Sequence, residues 1–304
     1  MGTIRKIEKV LKARPTLEGA GVHLKRAFGN QHVGLLDPFL LLDDFHSSKP
    51  AEYLKGFPWH PHRGIETITY VLYGKVEHGD SMGNKGVISP GDVQWMTAGS
   101  GIIHQEMPKG QEDSLMWGFQ LWANLPATHK MMDPRYRDVK QHQIPGVRLD
   151  NDVSVKVICG EVKGIKGPVQ DIVIDPEYLD VAVPAKTGFT HRTQKGHRVF
   201  AYVTKGSGYF EPERDPYGYE IEGRNYFDFQ RDCLMVPESL VIFHDGEELA
   251  ITAGDEGVRF LLISGKPIRE PVAWYGPIVM NTQEELRIAF DEYERGTFIK
   301  HGRG

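Results

Sequence analysis

Two short motifs, His60-Pro61-His62 and His104-Gln105-Glu106, constrain this chain more than any other feature of its sequence. Residues two apart on a β-strand point to the same face, so each pair aims both of its side chains at one side of a sheet. Between the pairs, residues 67–72 (TITYVL) form a β-branched and aromatic run closed by Gly74. Ser89-Pro90-Gly91-Asp92 and Ala98-Gly99-Ser100-Gly101 are turn signals. The pattern predicts a small antiparallel barrel with four ligand-type side chains on its inner wall. A lone His-x-His is most often an exposed pair, and it is the matching second pair that turns the constellation into a predicted metal site. Three imidazoles and one carboxylate, without sulfur, suit Fe(II), Mn(II), Ni(II), Cu(II) or Zn(II). In an octahedral ion they leave positions for water, an organic substrate or dioxygen.

The chain of 304 residues is long enough for two lobes. Lys and Arg total 36 against 41 Asp and Glu, and the resulting charge of −5 argues against a surface built to hold phosphate backbones. Direct nucleic-acid binding is therefore not expected. Cys159 and Cys233 lie far apart in apolar runs and are read as buried, reduced thiols. Residues 1–12 show no secretory pattern, and no apolar stretch approaches the roughly 18 to 20 residues of a membrane span. The expectation is a cytoplasmic protein without a membrane partner.

Strands are predicted at residues 22–28, 38–45 and 116–122, with a short helix at 127–132 and a polar linker at 135–146. His23, His32 and His46 have no partner at ligand spacing and are read as surface or supporting histidines. The second half repeats short strands and turns, as sandwiches and jelly rolls do, at 153–158, 169–174, 179–183, 199–203, 234–236, 240–243 and 259–263. Laid over the first half, it places Arg192 and Gln194 at the positions of His60 and His62, and His244 and Gly246 at those of His104 and Glu106. At most one of four ligands survives. The irregular insertion at 211–231 is read as a solvated loop or hairpin. Thr282 and Glu285 form a capping-box pattern, Leu286, Ala289, Phe290 and Tyr293 recur at helical spacing, and Gly296 stops the helix.

The stretches FPWHPHRGIETITYVLYG (57–74) and PGDVQWMTAGSGIIHQEMP (90–108) resemble the two signature segments of the pirin family, within the cupin superfamily. Further similarity lies at 36–45, 119–126 and 265–281, so the resemblance covers nearly the whole chain. It implies an all-β fold of two tandem cupin (jelly-roll) β-barrel lobes with a C-terminal helix. Residues 1–140 are expected to form the metal-bearing lobe, and 141–304 a degenerate lobe without metal that carries the helix.

The resemblance also implies iron, as Fe(II), on His60, His62, His104 and Glu106. The family includes members with quercetin 2,3-dioxygenase activity, in which O2 opens a flavonol with release of carbon monoxide. By that resemblance Glu106 would also take the flavonol hydroxyl proton as a general base. Many cupins use a glutamate soon after the His-x-His pair, where Glu66 stands; the pirin pattern gives the role to Glu106 and leaves Glu66 to orient a histidine or to pair with Arg63. Trp59, Trp95 and Phe119 are read as core aromatics flanking the site. One expected function is a dioxygenase of enolisable aromatic compounds. The alternative is an iron-binding redox sensor that acts through a protein partner without turnover.

Overall fold

The computed structural model describes residues 2–110, 114–223 and 232–300. Its regular structure is dominated by β-strands, with one α-helix among the described residues, Gln283–Glu294, and it carries two cupin domains of the jelly-roll type. No helix among the described residues is long and apolar enough to cross a membrane.

The chain divides into two compact units, Arg14–Gln143 with Ile268–Gly304 and Met1–Ala13 with Ile144–Pro267. The internal boundary lies close to the expected residue 140, but the termini are exchanged relative to the expected 1–140 and 141–304 lobes. Sheet pairing and apolar packing account for both exchanges. Strand Ile7–Lys12 runs antiparallel to Ser239–Phe243. The C-terminal helix buries Leu286 and Ala289 with Ala273, Ile278, Met280 and Phe298. Arg63 holds the helix by pairing with Glu292 and the segment after it by donating to the Phe298 carbonyl at 2.8 Å.

The unit bearing the histidine motifs has two large sheets and, among the described residues, a two-stranded one, Ala273–Tyr275 with Ile278–Met280. Seven strands lie in the order Arg135–Val139, Val93–Thr97, Ile65–Tyr73, Met116–Asn124, Phe39–Ser47, Val22–Phe28 and Arg14–Glu18; four lie in the order Phe57–His62, Ile102–Lys109, Lys75–Asp80 and Lys85–Ile88. The strand Ile65–Tyr73 is buried on both faces up to Leu72, which explains why its sequence is a continuous β-branched and aromatic run rather than an alternating one. Two local expectations change. The polar stretch expected as a linker contains the edge strand Arg135–Val139, because an edge strand needs only one covered face. The expected helix at 127–132 is a single 3-10 turn, Ala127–His129.

The other unit wraps one nine-stranded sheet around a core that includes Val155, Leu179, Val181, Phe189, Phe210, Tyr219 and Phe260. Residues 169–174 and 234–236, expected as strands, contribute only isolated bridges at Val169 and Met235. His244, aligned by sequence with His104, is exposed. Of the insertion at 211–231, Glu220–Ile221 pairs in parallel with Ile7–Lys12 and Glu211 accepts from the Ile7 N–H, while residues 224–231 lie outside the described residues.

Behind the first histidine pair the backbone is pinned by a buried lysine. Lys130 Nζ donates to the Gly64 carbonyl at 2.9 Å, to Asn124 Oδ1 at 2.7 Å and to the Val279 carbonyl at 3.0 Å. Gly64 has φ +78°, and a Cβ there would stand 1.9 Å from the Val279 carbonyl oxygen. Lys130→Met removes the ammonium donor from three buried acceptors, of which the Gly64 carbonyl keeps a long bond from the Leu125 N–H at 3.3 Å, and is expected to lower stability by about 3 kcal/mol, read by denaturant unfolding. Gly64→Ala is expected to cost at least as much; an unchanged midpoint for either variant would show that the pin contributes nothing.

Candidate metal centre

Antiparallel pairing brings the two motifs together. His104 lies opposite His60, and Ile102 opposite His62, so the Phe57–His62 and Ile102–Lys109 strands present their ligand-type residues to one side. The ring centroids of His60, His62 and His104 are separated by 4.8, 4.4 and 5.0 Å. One potential ligand atom from each of the three lies within 4.8 Å of the others.

Tautomers follow from the hydrogen bonds. His60 Nδ1 is 2.8 Å from the Pro58 carbonyl oxygen and His62 Nδ1 is 2.9 Å from that of Pro277. A carbonyl accepts and never donates, so both Nδ1 atoms carry hydrogen and both Nε2 atoms of the neutral rings carry lone pairs. Those two Nε2 atoms are 3.1 Å apart, a repulsive arrangement unless a cation lies against both. His104 is fully buried, and neither of its ring nitrogens has a hydrogen-bond partner. Buried polar atoms without partners are rare in folded proteins, and one explanation for them is an ion. Burial pushes the His62 and His104 imidazoles well below their ordinary pKa of 6.5, with neighbouring imidazoles adding to the effect. Neutral rings are the form that a metal requires. This donor set therefore fits a divalent first-row ion.

The fourth sequence candidate stands in the same cavity but outside the close group. A register shift between His104 and Glu106 displaces the carboxylate, which is buried. Thr69 Oγ1 lies 2.8 Å from Glu106 Oε1 and 2.6 Å from Gln120 Oε1. A hydroxyl has one proton to give. With Glu106 ionised, that proton goes to the carboxylate, and the Gln120 amide must turn its Nε2 toward the hydroxyl. Oε1 is thereby tied, and the second carboxylate oxygen remains the one to offer to an ion.

Glu66 is elsewhere. It lies three residues from Thr69 and so on the opposite face of the strand, where it accepts from Trp95 Nε1 at 3.1 Å and Thr97 Oγ1 at 2.7 Å. Burial raises its pKa against those two bonds. It neither orients a histidine nor meets Arg63, whose Nε donates to the Ser100 carbonyl. Trp95 and Phe119 are core residues as expected, whereas Trp59 lines the cavity and is 53% exposed.

The sequence reading passed over His78-Gly79-Asp80. It has the same two-residue spacing, so the signal was available. Pairing sets Asp80 opposite His104 and His78 opposite Glu106 on the third strand of that wall. The His78 and His104 ring centroids are 5.4 Å apart. Asp80 is committed to its turn, accepting from the Met82 and Asn84 backbone and from Asn84 Nδ2. Hydrogen bonds from His78 and Asn84 outweigh its burial and hold its pKa below the ordinary value.

The cavity in front of the histidines has a volume of about 600 Å³ and includes Leu24, Leu41, Phe45, Phe57 and Trp122 on its walls. It falls in the size range of small-molecule sites.

Comparison with known proteins agrees with the architecture. The pirin family profile matches residues 21–123, and that of the pirin C-terminal cupin domain matches 178–299. A pirin-like protein from Caulobacter vibrioides is 42% identical over 296 residues, covering 97% of this chain and 99% of the relative. Pirin from Homo sapiens is 37% identical over 295 residues, 96% of this chain and 93% of the relative. The crystal structure of quercetin 2,3-dioxygenase from Acinetobacter baumannii superposes with a TM-score of 0.83 at 30% identity, over 97% of this chain and 98% of that one.

Depressed imidazole pKa values reduce competition from protons. A metal-loaded preparation is expected to keep its ion on dialysis at pH 6.5 and to begin releasing it only below that value, as elemental analysis across pH 7.5 to 4.5 would record. Half-release above pH 6.5 would contradict the effect assigned to burial.

Proposed function

The chain belongs to the pirin family, and from that premise we propose that it is a metal-dependent dioxygenase of flavonol-like, enolisable aromatic compounds, with iron held by His60, His62, His104 and Glu106. The observation that carries this reading is the opposed pair of lone-pair-bearing Nε2 atoms, 3.1 Å apart, beside a buried histidine with no hydrogen-bond partner. When bound, a divalent ion supplies Lewis acidity toward the substrate's enolic hydroxyl and a redox partner for dioxygen.

The rest falls to the protein's own groups. Carbonyl oxygens of Pro58 and Pro277 fix the tautomers of His60 and His62. Thr69 donates to Oε1 of Glu106; the other oxygen, the one offered to the ion, keeps a second lone pair through which Glu106 would take the substrate's hydroxyl proton as a general base. Apolar walls contributed by Leu41, Phe45 and Trp122 hold the flat rings and displace water, which strengthens every polar contact inside. The similarity to a quercetin 2,3-dioxygenase structure supports the substrate class.

The test is anaerobic iron loading followed by elemental analysis and a quercetin assay under air. The wild type is expected to hold about one ion per chain and to consume O2 with release of carbon monoxide. His104→Ala is expected to lose both ion and turnover. Glu106→Gln is expected to lose roughly a hundredfold or more in turnover, the share typical of a general base, beyond any loss of metal. Metal without turnover in the wild type would replace this reading with the partner-directed redox sensor, and no uptake of metal would remove the site itself.

A further inference from the structure

The cavity floor carries a line of polar side chains that extends away from the histidines. Cross-strand pairing sets Thr69 beside Gln120, Gln120 beside Asp43, and Asp43 beside Arg26. Paired residues on adjacent antiparallel strands project from the same side of a sheet. The four side chains therefore form one row across four neighbouring strands, about 14 Å long at a spacing of about 4.8 Å per strand. All four line the cavity, as does Glu18 at the far end. On the same face, two residues to either side, the rows are dominated by apolar groups. Leu41 pairs with Trp122 on one side, and Phe45 with Gly118 and then Val71 on the other. The result is a slot with apolar walls and a polar rail.

The rail has a definite chemistry. Arg26 donates from Nε and Nη2 to both oxygens of Asp43 at 2.8 and 2.7 Å, and its Nη1 meets Glu18 at 2.9 Å. Three of its five N–H groups are thus used, while each carboxylate oxygen keeps acceptor capacity. Asp43 is buried, with its pKa raised by that burial to about 6 against the pull of Arg26. Asp43 and Glu18 outweigh the effect of burial on Arg26 and hold its pKa above the ordinary value, so at neutral pH the group is ionised. Two carboxylates against one guanidinium leave a net negative end. A hydroxyl donor is attracted there by charge-assisted hydrogen bonds, and a ligand carboxylate or sulfonate is repelled.

We infer that Gln120, Asp43, Arg26 and Glu18 determine specificity, selecting neutral polyhydroxylated aromatic ligands whose pendant-ring hydroxyls donate to Asp43 and Glu18 while the enolic end faces the histidines. This inference rests on the flavonol reading of the same cavity. It adds a selection that the histidines cannot make, because they lie at the other end of the row.

The experiment compares quercetin, which carries hydroxyls on its pendant ring, with the flavonol whose pendant ring is unsubstituted. Binding to the iron-loaded full chain is followed without oxygen by quenching of tryptophan fluorescence, and O2 uptake is measured separately. The wild type is expected to bind quercetin about tenfold more tightly, the range of a hydrogen bond to a charged group. Asp43→Asn and Glu18→Gln are each expected to cut that ratio to about threefold or less. Removing half of a buried ion pair can unfold the unit, so the rim position Glu18→Gln keeps the test alive if Asp43→Asn does not fold. Equal affinities in the wild type, or an unchanged ratio in folded Glu18→Gln, would overturn the inference. Selective binding without O2 uptake would sink the dioxygenase and leave the rail standing. Uptake with both flavonols at equal affinity would do the reverse, and binding of neither would sink both.

Discussion

Three imidazoles meeting in a buried space are unstable by themselves, and much of the unit that carries them is arranged to hold them there. Two Nε2 lone pairs at 3.1 Å repel, and a third ring without partners adds the cost of desolvation. A cation relieves both. The rings cannot relax by rotating, because Nδ1 of His60 and of His62 is held to a carbonyl oxygen. Burial also disfavours charge on the His62 and His104 rings themselves.

The same constraint explains the company kept by the C-terminal segment. Pro277 supplies the carbonyl that orients His62, Val279 accepts from Lys130 and donates to the Arg63 carbonyl, and Phe298 accepts from Arg63. The residues flanking His62 are therefore held by chain more than 200 positions away. Gly64 allows the close approach, since its conformation and its contact with Val279 both exclude a side chain.

A second division of labour runs along the sheet. Ligand-type residues come mainly from the four-stranded sheet, while the seven-stranded sheet supplies the floor on which a ligand would lie. Thr69 links the two by bonding Glu106 across the cavity and Gln120 along the row. In the other unit the corresponding interior is filled by residues such as Phe189, Phe210 and Phe260. One architecture thus carries either a polar site or a packed core, according to which side chains its strands turn inward.

Much of this was legible in the chain itself. Spacing of two between His60 and His62, and between His104 and Glu106, determined that each pair shares a face, because the strand period is two. The capping pattern at Thr282 and Glu285 located the helix, and the structure shows both of its reciprocal bonds. Strand periodicity is a local property, and local properties can be read without a fold. What the sequence did not disclose was pairing. Glu66 and Glu106 are both plausible ligands by composition, and only register put one toward the cavity and the other behind its strand. The exchange of the two termini, the third pair at His78 and Asp80, and the row from Thr69 to Arg26 depend on which strands lie side by side. Those choices come from long-range burial and hydrogen bonding, which join residues distant in the chain and leave no periodic trace within any one segment.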